Sequence, residues 1–256
     1  VRIGHEPHPI LIAMSNPVKL VGGGPGAWDL ITVRGLRALE EADVILADHL
    51  GPSAQLGEFL DVDGKDVIDV SKLPYGTSVS QDKINELLIE HARAGKKVVR
   101  LKGGDPYVFG RGFEELQALT QAGLTCEVIP SVTSAIAVPA LAGVPITQRG
   151  VVHAFTVASG HLPPGHPASL NDWSALARSG ATIAVIMGVK NARAIAQALI
   201  DGGKDPATPV AIVQEGSLDT QRSFRASLDR LGEVMEAESV APPAVYVIGD
   251  VAGLDS

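Results

Sequence analysis

The sequence predicts an α/β protein of two domains, the first with a mainly parallel sheet and the second with a mixed sheet. Three observations lead there. From residue 18 onward short apolar runs alternate with amphipathic stretches, the pattern of parallel strands joined by helical crossovers. Several of those runs end in glycine turns, which suits a sheet whose carboxyl edge meets a ligand. Near the end, the run 222–226 follows the run 209–214 after only a short turn, which antiparallel pairing allows and parallel pairing does not. A chain of 256 residues with 28 Gly and 17 Pro has the length for two domains and many backbone-lined turns.

Each element follows from local chemistry. Residues 18–21 read as the first strand, and Thr32 caps a helix reaching about residue 42. Residues 44–47 form the second strand, ending at Asp48. A loop with Gly51, Pro52, Gly57 and Gly64 leads to a strand at 66–70. Ser80 caps a helix whose Ile84, Leu87, Leu88 and His91 recur at helical spacing until Gly95 stops it. Strand 97–101, a glycine-rich loop, helix 113–121, strand 125–129 and a helix from about Thr133 complete the first half. Pro139, Gly143, Pro145 and Gly150 cluster there, so the domains are expected at 18–148 and 149–256, with 1–17 a loose tail. The second half continues with strand 152–158, a loop over 159–167, strand 182–187, helix 191–200 and strands 209–214, 222–226 and 244–248.

Composition narrows the function classes. With 21 Lys+Arg against 29 Asp+Glu the net charge is −8, which argues against a broad nucleic-acid face. Any anionic ligand must be met by a few placed cations. The single cysteine, Cys126, excludes an intrachain disulfide and a cysteine-based zinc site, and suits a reducing, cytoplasmic setting. No apolar run reaches the ~18 residues of a membrane span, so no membrane partner is expected. His153, His161 and His166 lack a helical i, i+4 pairing or a carboxylate companion, so no metal is expected.

Two glycine turns carry the chemistry. Gly22-Gly23-Gly24-Pro25-Gly26-Ala27 fits the spacing of a dinucleotide fingerprint, with Asp48 where an acid would grip a ribose. The helix signal starts only at about Thr32, however, whereas such a loop delivers a helix N-terminus directly to a pyrophosphate. An NAD-linked oxidoreductase and a plain turn both stay open on these residues. The second turn, Leu101-Lys102-Gly103-Gly104-Asp105-Pro106, ends another strand on the same edge, and its adjacent glycines leave room for a ligand at the backbone. It lacks the Gly-Lys-Ser/Thr ending of a phosphate-binding loop, which removes kinases and ATPases.

The segments 20–26, 42–50, 98–115, 130–150 and 159–161 closely resemble uroporphyrinogen-III C-methyltransferases of the tetrapyrrole methylase superfamily. The run Arg100-Leu-Lys-Gly-Gly-Asp-Pro-Tyr-Val-Phe-Gly-Arg-Gly112 is the most specific part. The resemblance implies two α/β domains with the active site in the cleft between them, a homodimer, and S-adenosyl-L-methionine as donor with S-adenosyl-L-homocysteine as product. It implies methylation of uroporphyrinogen III at C2 and C7 to precorrin-2, feeding siroheme or cobalamin. The alternatives are a methylase of a later precorrin on this fold and an idle tetrapyrrole binder.

Carried over by motif, Asp48 is implied as proton acceptor and Lys72 as proton donor. Pro25, Gly103, Gly104, Asp105, Val108, Thr133, Ser134, Met187 and Gly216 are implied at the donor. Without the resemblance, Met187 reads as a core residue at a strand end, and Asp48 as a cap or surface acid. A polycarboxylate substrate calls for a basic lining, for which Arg111, Arg149 and His161 are the expected residues, with Lys72 and Lys190 beside them. The chain departs from the pattern at Leu73, at Ser131 in place of a usual Gly, and at Leu141 and Gln148 where Tyr and His are frequent.

Overall fold

The structure, a computed structural model, describes residues 16–48, 50–71 and 79–254. The chain divides into two compact units, one of the residues up to Gly23 with Ile31–Ser131, the other of Gly24–Leu30 with Val132 onward. The division therefore falls after Ser131 rather than after residue 148. The cause is the helix that follows: its Ala135 and Val138 pack with Ala184, Ile186, Val213 and Val245, and Val144 packs with Ala211 and Val247, all in the second unit. The Pro/Gly cluster marks a turn inside that unit. Lys72 and most of the expected tail lie outside the described residues.

In the first unit, strands β1 (Val18–Gly22), β2 (Val44–Ala47), β3 (Asp66–Asp69), β4 (Val98–Lys102) and β5 (Cys126–Ile129) form one parallel sheet in the order β3-β2-β4-β1-β5. β2 and β4 are buried at every residue, as strands covered on both faces must be, while the edge strand β3 is largely exposed and carries Asp66 and Asp69. Helices α1 (Val33–Glu40) and α2 (Leu56–Phe59) cover one face. There Leu39 and Leu56 pack with Val21, Ile45 and Leu101. Helices α3 (Gln81–Arg93) and α4 (Gly112–Gln121) cover the other, where Leu88 and Leu119 pack with Leu20, Leu46 and Val98. Truncating one such fully buried leucine to Ala costs about 2–5 kcal/mol.

Capping chemistry starts the helices where the sequence places them. The Thr32 hydroxyl accepts the Gly35 N–H at 3.1 Å and the Ser80 hydroxyl accepts the Lys83 N–H at 3.2 Å. The adjacent strands β1 and β4 send their connections to opposite faces, through α1 and α4. They therefore form a topological switch point, where open α/β sheets bind ligands beyond the strand carboxyl ends.

In the second unit, α5 (Ser134–Leu141) precedes β6 (Phe155–Ser159), α6 (Trp173–Arg178), β7 (Thr182–Ile186), α7 (Ala192–Asp201), β8 (Pro209–Gln214), β9 (Arg222–Ser227), α8 (Leu231–Ala237) and β10 (Ala244–Ile248). The sheet order is β6-β7-β10-β8-β9, with β6 and β7 parallel and β10 antiparallel to both β7 and β8. The mixed sheet is as expected. Strand β6 starts at Phe155 rather than at 152, because Val152 bridges back to Gln148 in a separate turn. Helices α6, α7 and α8 pack on one face through Trp173, Ile195, Leu199, Leu231 and Met235, and α5 on the other through Ala135 and Val138.

Candidate active site

At the carboxyl edge of the first sheet the turns after β1, β2 and β4 interlock by close backbone approach. A Cβ on Gly22 would lie 2.7 Å from the Gly104 carbonyl oxygen, and one on Gly103 would lie 2.4 Å from Leu50 Cβ. The space that a Gly103 side chain would take is thus filled by the turn after β2. Gly104 is required for a different reason, its φ of +66°, which L side chains rarely adopt.

Asp48 closes β2 and its carboxylate is held on both oxygens. Oδ1 accepts the N–H groups of Gly103 and Leu50, each at 3.3 Å, and Oδ2 accepts the Arg100 guanidinium at 3.1 Å. Arg100 sits in the central strand β4 and is only 3% exposed. Its Nε donates to Glu115 Oε1 at 3.2 Å, and one terminal nitrogen donates to the carbonyls of Leu46 (3.3 Å) and Leu101 (2.7 Å). Lys102 Nζ donates to the same Glu115 oxygen at 2.9 Å, as does Gln81 Nε2 at 3.3 Å. Burial, and then the neighbouring guanidinium, push the Lys102 ammonium below its usual pKa, while Glu115 opposes the shift. Glu115 itself is fully buried, and its second oxygen is without a hydrogen-bond partner among the described residues.

The loop after β4 is shaped by Asp105. Its Oδ1 accepts the Tyr107 N–H at 2.9 Å and its Oδ2 accepts the Ser131 N–H at 3.0 Å, tying the loop to the end of β5. The chain then coils around Pro106, whose carbonyl accepts the Gly112 N–H at 3.0 Å. Phe109 (φ 57°) and Arg111 (φ 58°) hold left-handed backbone, a conformation that concentrates at functional turns. Arg111 is exposed and engaged bidentately with Glu114, at 2.9 and 2.7 Å. Val108 is half-buried in the same loop, whereas Tyr107 and Phe109 are exposed. Ser131, at the residue after β5's connection, leaves its Oγ buried and without a partner among the described residues.

The second unit gathers its own set at one edge. Gly160 follows β6, Met187 follows β7, and Gly216 lies in the turn after β8. Close approach at glycines fixes these turns: a Cβ on Gly160 would lie 2.4 Å from Gly188 Cα in the turn after β7, and one on Gly216 would lie 2.4 Å from the Val138 side chain (Cγ1) on α5. The Asn191 amide donates to the carbonyls of Gly160 (2.7 Å) and His161 (3.1 Å), fixing the turn that carries His161. The segment with Pro25 docks here too, the Ala27 N–H donating to Ser217 Oγ at 2.9 Å. Thr133 is the N-cap of α5, its hydroxyl accepting the Ala135 N–H, and Ser134 is that helix's first residue.

Met187, Glu215 and Ser217 all have positive φ, at 55°, 51° and 76°. Met187 is 48% exposed, which removes its reading as a core residue. Arg149 and His161 are exposed and stand at separate turns of the unit. Among the described residues no cluster of three or more His, Cys, Asp or Glu is placed to hold a metal, and no helix is long and apolar enough to cross a membrane.

The structure thus brings together Asp48, Gly103, Gly104, Asp105 and Val108 in one unit, and Pro25, Thr133, Ser134, Met187 and Gly216 in the other. Arg100, Lys102 and Glu115 were not assigned from sequence. Their signal was two cations at period 2 in a strand that is otherwise wholly apolar, anomalous for the centre of a parallel sheet. The Gly22–Ala27 fingerprint fails on structure, since a 3-10 turn (Trp28–Leu30) follows it and the first α-helix begins only at Val33.

A family model described as tetrapyrrole (corrin/porphyrin) methylases matches residues 17–232. The chain is 41% identical over 234 residues to a uroporphyrinogen-III C-methyltransferase of Priestia megaterium, covering 91% of this chain and 97% of that protein. It is 43% identical over 245 residues to one of Methanocaldococcus jannaschii, covering 95% of this chain and 100% of the other. A Thermus thermophilus uroporphyrin-III C-methyl transferase solved in complex with S-adenyl homocysteine superposes with a TM-score of 0.73 at 36% identity, covering 93% and 99% of the two chains. Sequence and fold agree, and the chain belongs to the tetrapyrrole (corrin/porphyrin) methylase family.

Proposed function

We propose that this chain is an S-adenosyl-L-methionine-dependent uroporphyrinogen-III C-methyltransferase, adding methyl groups at C2 and C7 to give precorrin-2 for siroheme or cobalamin. The observation that carries this is identity of 41–43% to uroporphyrinogen-III C-methyltransferases along nearly the full length of both partners. The residues fit a sulfonium donor. The second unit carries the exposed Met187 thioether at its sheet edge and the Thr133 and Ser134 hydroxyls at the start of α5, and among the described residues the buried charged side chains all lie in the first unit. An uncharged adenosyl group would meet no buried charge there.

The donor supplies an electrophilic methyl group on sulfur. Transfer to a ring carbon then depends on positioning and on removal of a proton from the methylated ring system. Asp48 is the group suited to accept that proton, because its side chain keeps 24% exposure while three donors fix its orientation. Lys72 is the proposed proton donor on the resemblance alone. Asp105 is proposed to act through loop shape, since both its oxygens are taken by backbone N–H groups. Arg149 and His161, both exposed, are proposed to meet substrate carboxylates, and Arg111 to do so by exchanging its Glu114 partner. A homodimer in the cytoplasm is proposed as the working form. Exposed Val132, Ile136, Leu141 and Val151, on and beside α5, supply apolar surface for a partner.

The test is turnover with uroporphyrinogen III and S-adenosyl-L-methionine, products resolved by mass. Two added methyl groups per macrocycle, with two equivalents of S-adenosyl-L-homocysteine, are expected. An unmodified macrocycle refutes the reading.

A further inference from the structure

We propose that Arg100 is a positioning residue for the transfer: clamped from behind by Glu115 and two backbone carbonyls, it holds the Asp48 carboxylate in one orientation at the end of β2. The inference rests on the reading of Asp48 as proton acceptor. Four donated hydrogen bonds lock the guanidinium, to Glu115, Leu46, Leu101 and Asp48. Stability does not account for a cation at this site, because a buried ion pair is often replaced by packed apolar residues without loss. Surface pairs such as Arg193–Glu236 are a different case, with both partners mobile in solvent.

Here three of the four charged side chains are sealed, at 4% exposure for Arg100 and Lys102 and none for Glu115, and the fourth, Asp48, reaches solvent at 24%. The cluster therefore terminates in one accessible carboxylate. Its Oδ1 is set by the N–H groups of Gly103 and Leu50, so the guanidinium on Oδ2 completes a three-point mount. The charged groups that face Asp48 among the described residues are Arg100 and, at longer range, Lys102, both on β4.

The experiment measures kcat and KM for Asp48→Asn, Arg100→Gln, Arg100→Lys and the double variant Asp48→Asn/Arg100→Gln. Rates are normalised to the sites that bind S-adenosyl-L-homocysteine in calorimetry. Arg100→Gln is expected to lower kcat by about 10–10²-fold with the donor KM within about threefold, because only proton removal is affected. Arg100→Lys keeps a lowered kcat, as an ammonium cannot reproduce the fork of contacts.

In the Asp48→Asn background, Arg100→Gln costs less than about twofold, because residues acting as a unit are not additive. Multiplicative losses in the double variant, or a donor KM that rises in step with the fall in kcat, overturn the positioning role and leave the methylase reading standing. Should Arg100→Gln not fold, a wild-type kcat in Arg100→Lys overturns it equally. A wild-type rate in Asp48→Asn overturns Asp48 as acceptor, and the role of Arg100 with it.

Discussion

At the carboxyl edge of the first sheet, two carboxylates, a guanidinium and an ammonium are folded into and beneath the turns after β2 and β4. At the corresponding edge of the second sheet, the turns after β7 and β8 present left-handed backbone, a thioether and hydroxyl groups, and the buried polar residues of that unit, Thr182, Thr208 and Gln214, are all uncharged. Both edges are built by the same device, glycines whose missing Cβ lets two turns touch. The difference lies in what those turns carry. On the reading proposed above, the first edge orients the carboxylate that accepts a proton and the second meets the adenosyl part of the donor. Methyl transfer from a sulfonium to a nucleophilic ring carbon, followed by loss of a proton from the methylated ring, draws on both.

The largest expected effect separates the two kinds of buried polar group. Glu115→Gln leaves Arg100 and Lys102 facing each other with one anion fewer, and a loss of about 3–5 kcal/mol in urea unfolding is expected. A smaller and shared effect comes from Gly103→Ala and Gly216→Ala, whose new Cβ atoms would meet Leu50 Cβ and Val138 Cγ1, each at 2.4 Å. Each should lose about 1–3 kcal/mol, read in the same way. Equal losses support a common construction of the edges, and loss at one alone breaks the comparison.

Thr182→Val is expected to be neutral or stabilising by up to about 1 kcal/mol. The Thr182 hydroxyl is buried without a partner among the described residues, in contrast to Glu115, whose other oxygen accepts three hydrogen bonds. The gentlest probe is Cys126, at the start of β5, whose thiol is pushed up to about 12 by burial first and then by Glu115 and Glu127. Its native thiolate fraction at pH 8 is therefore small, and alkylation by iodoacetamide should run at least about 10²-fold slower than in urea. Equal rates would mean that the first sheet opens on the timescale of the reaction.

Much of the scaffold was legible. Strands β2, β8 and β10 lie where their apolar runs begin and end, Thr32 and Ser80 cap the helices they were expected to cap, and a helix starts beside Thr133 as expected. Helices α2, α6 and α8 were not anticipated, because four, six and seven residues are too few for a helical period to show. The turn residues of the site were legible through glycine spacing. The charge cluster was not, since Arg100 and its counter-ion Glu115 are adjacent only after α4 folds back on β4. The packing of Gly103 was not legible for the same reason: its neighbour Leu50 comes from another turn.

The division of labour between the edges is tested most directly by Asp48→Asn, with turnover and S-adenosyl-L-homocysteine affinity measured on the same preparation. A fall of about 10²–10⁴ in kcat with affinity within about threefold of wild type is expected. Retained turnover, or affinity lost together with rate, would contradict it.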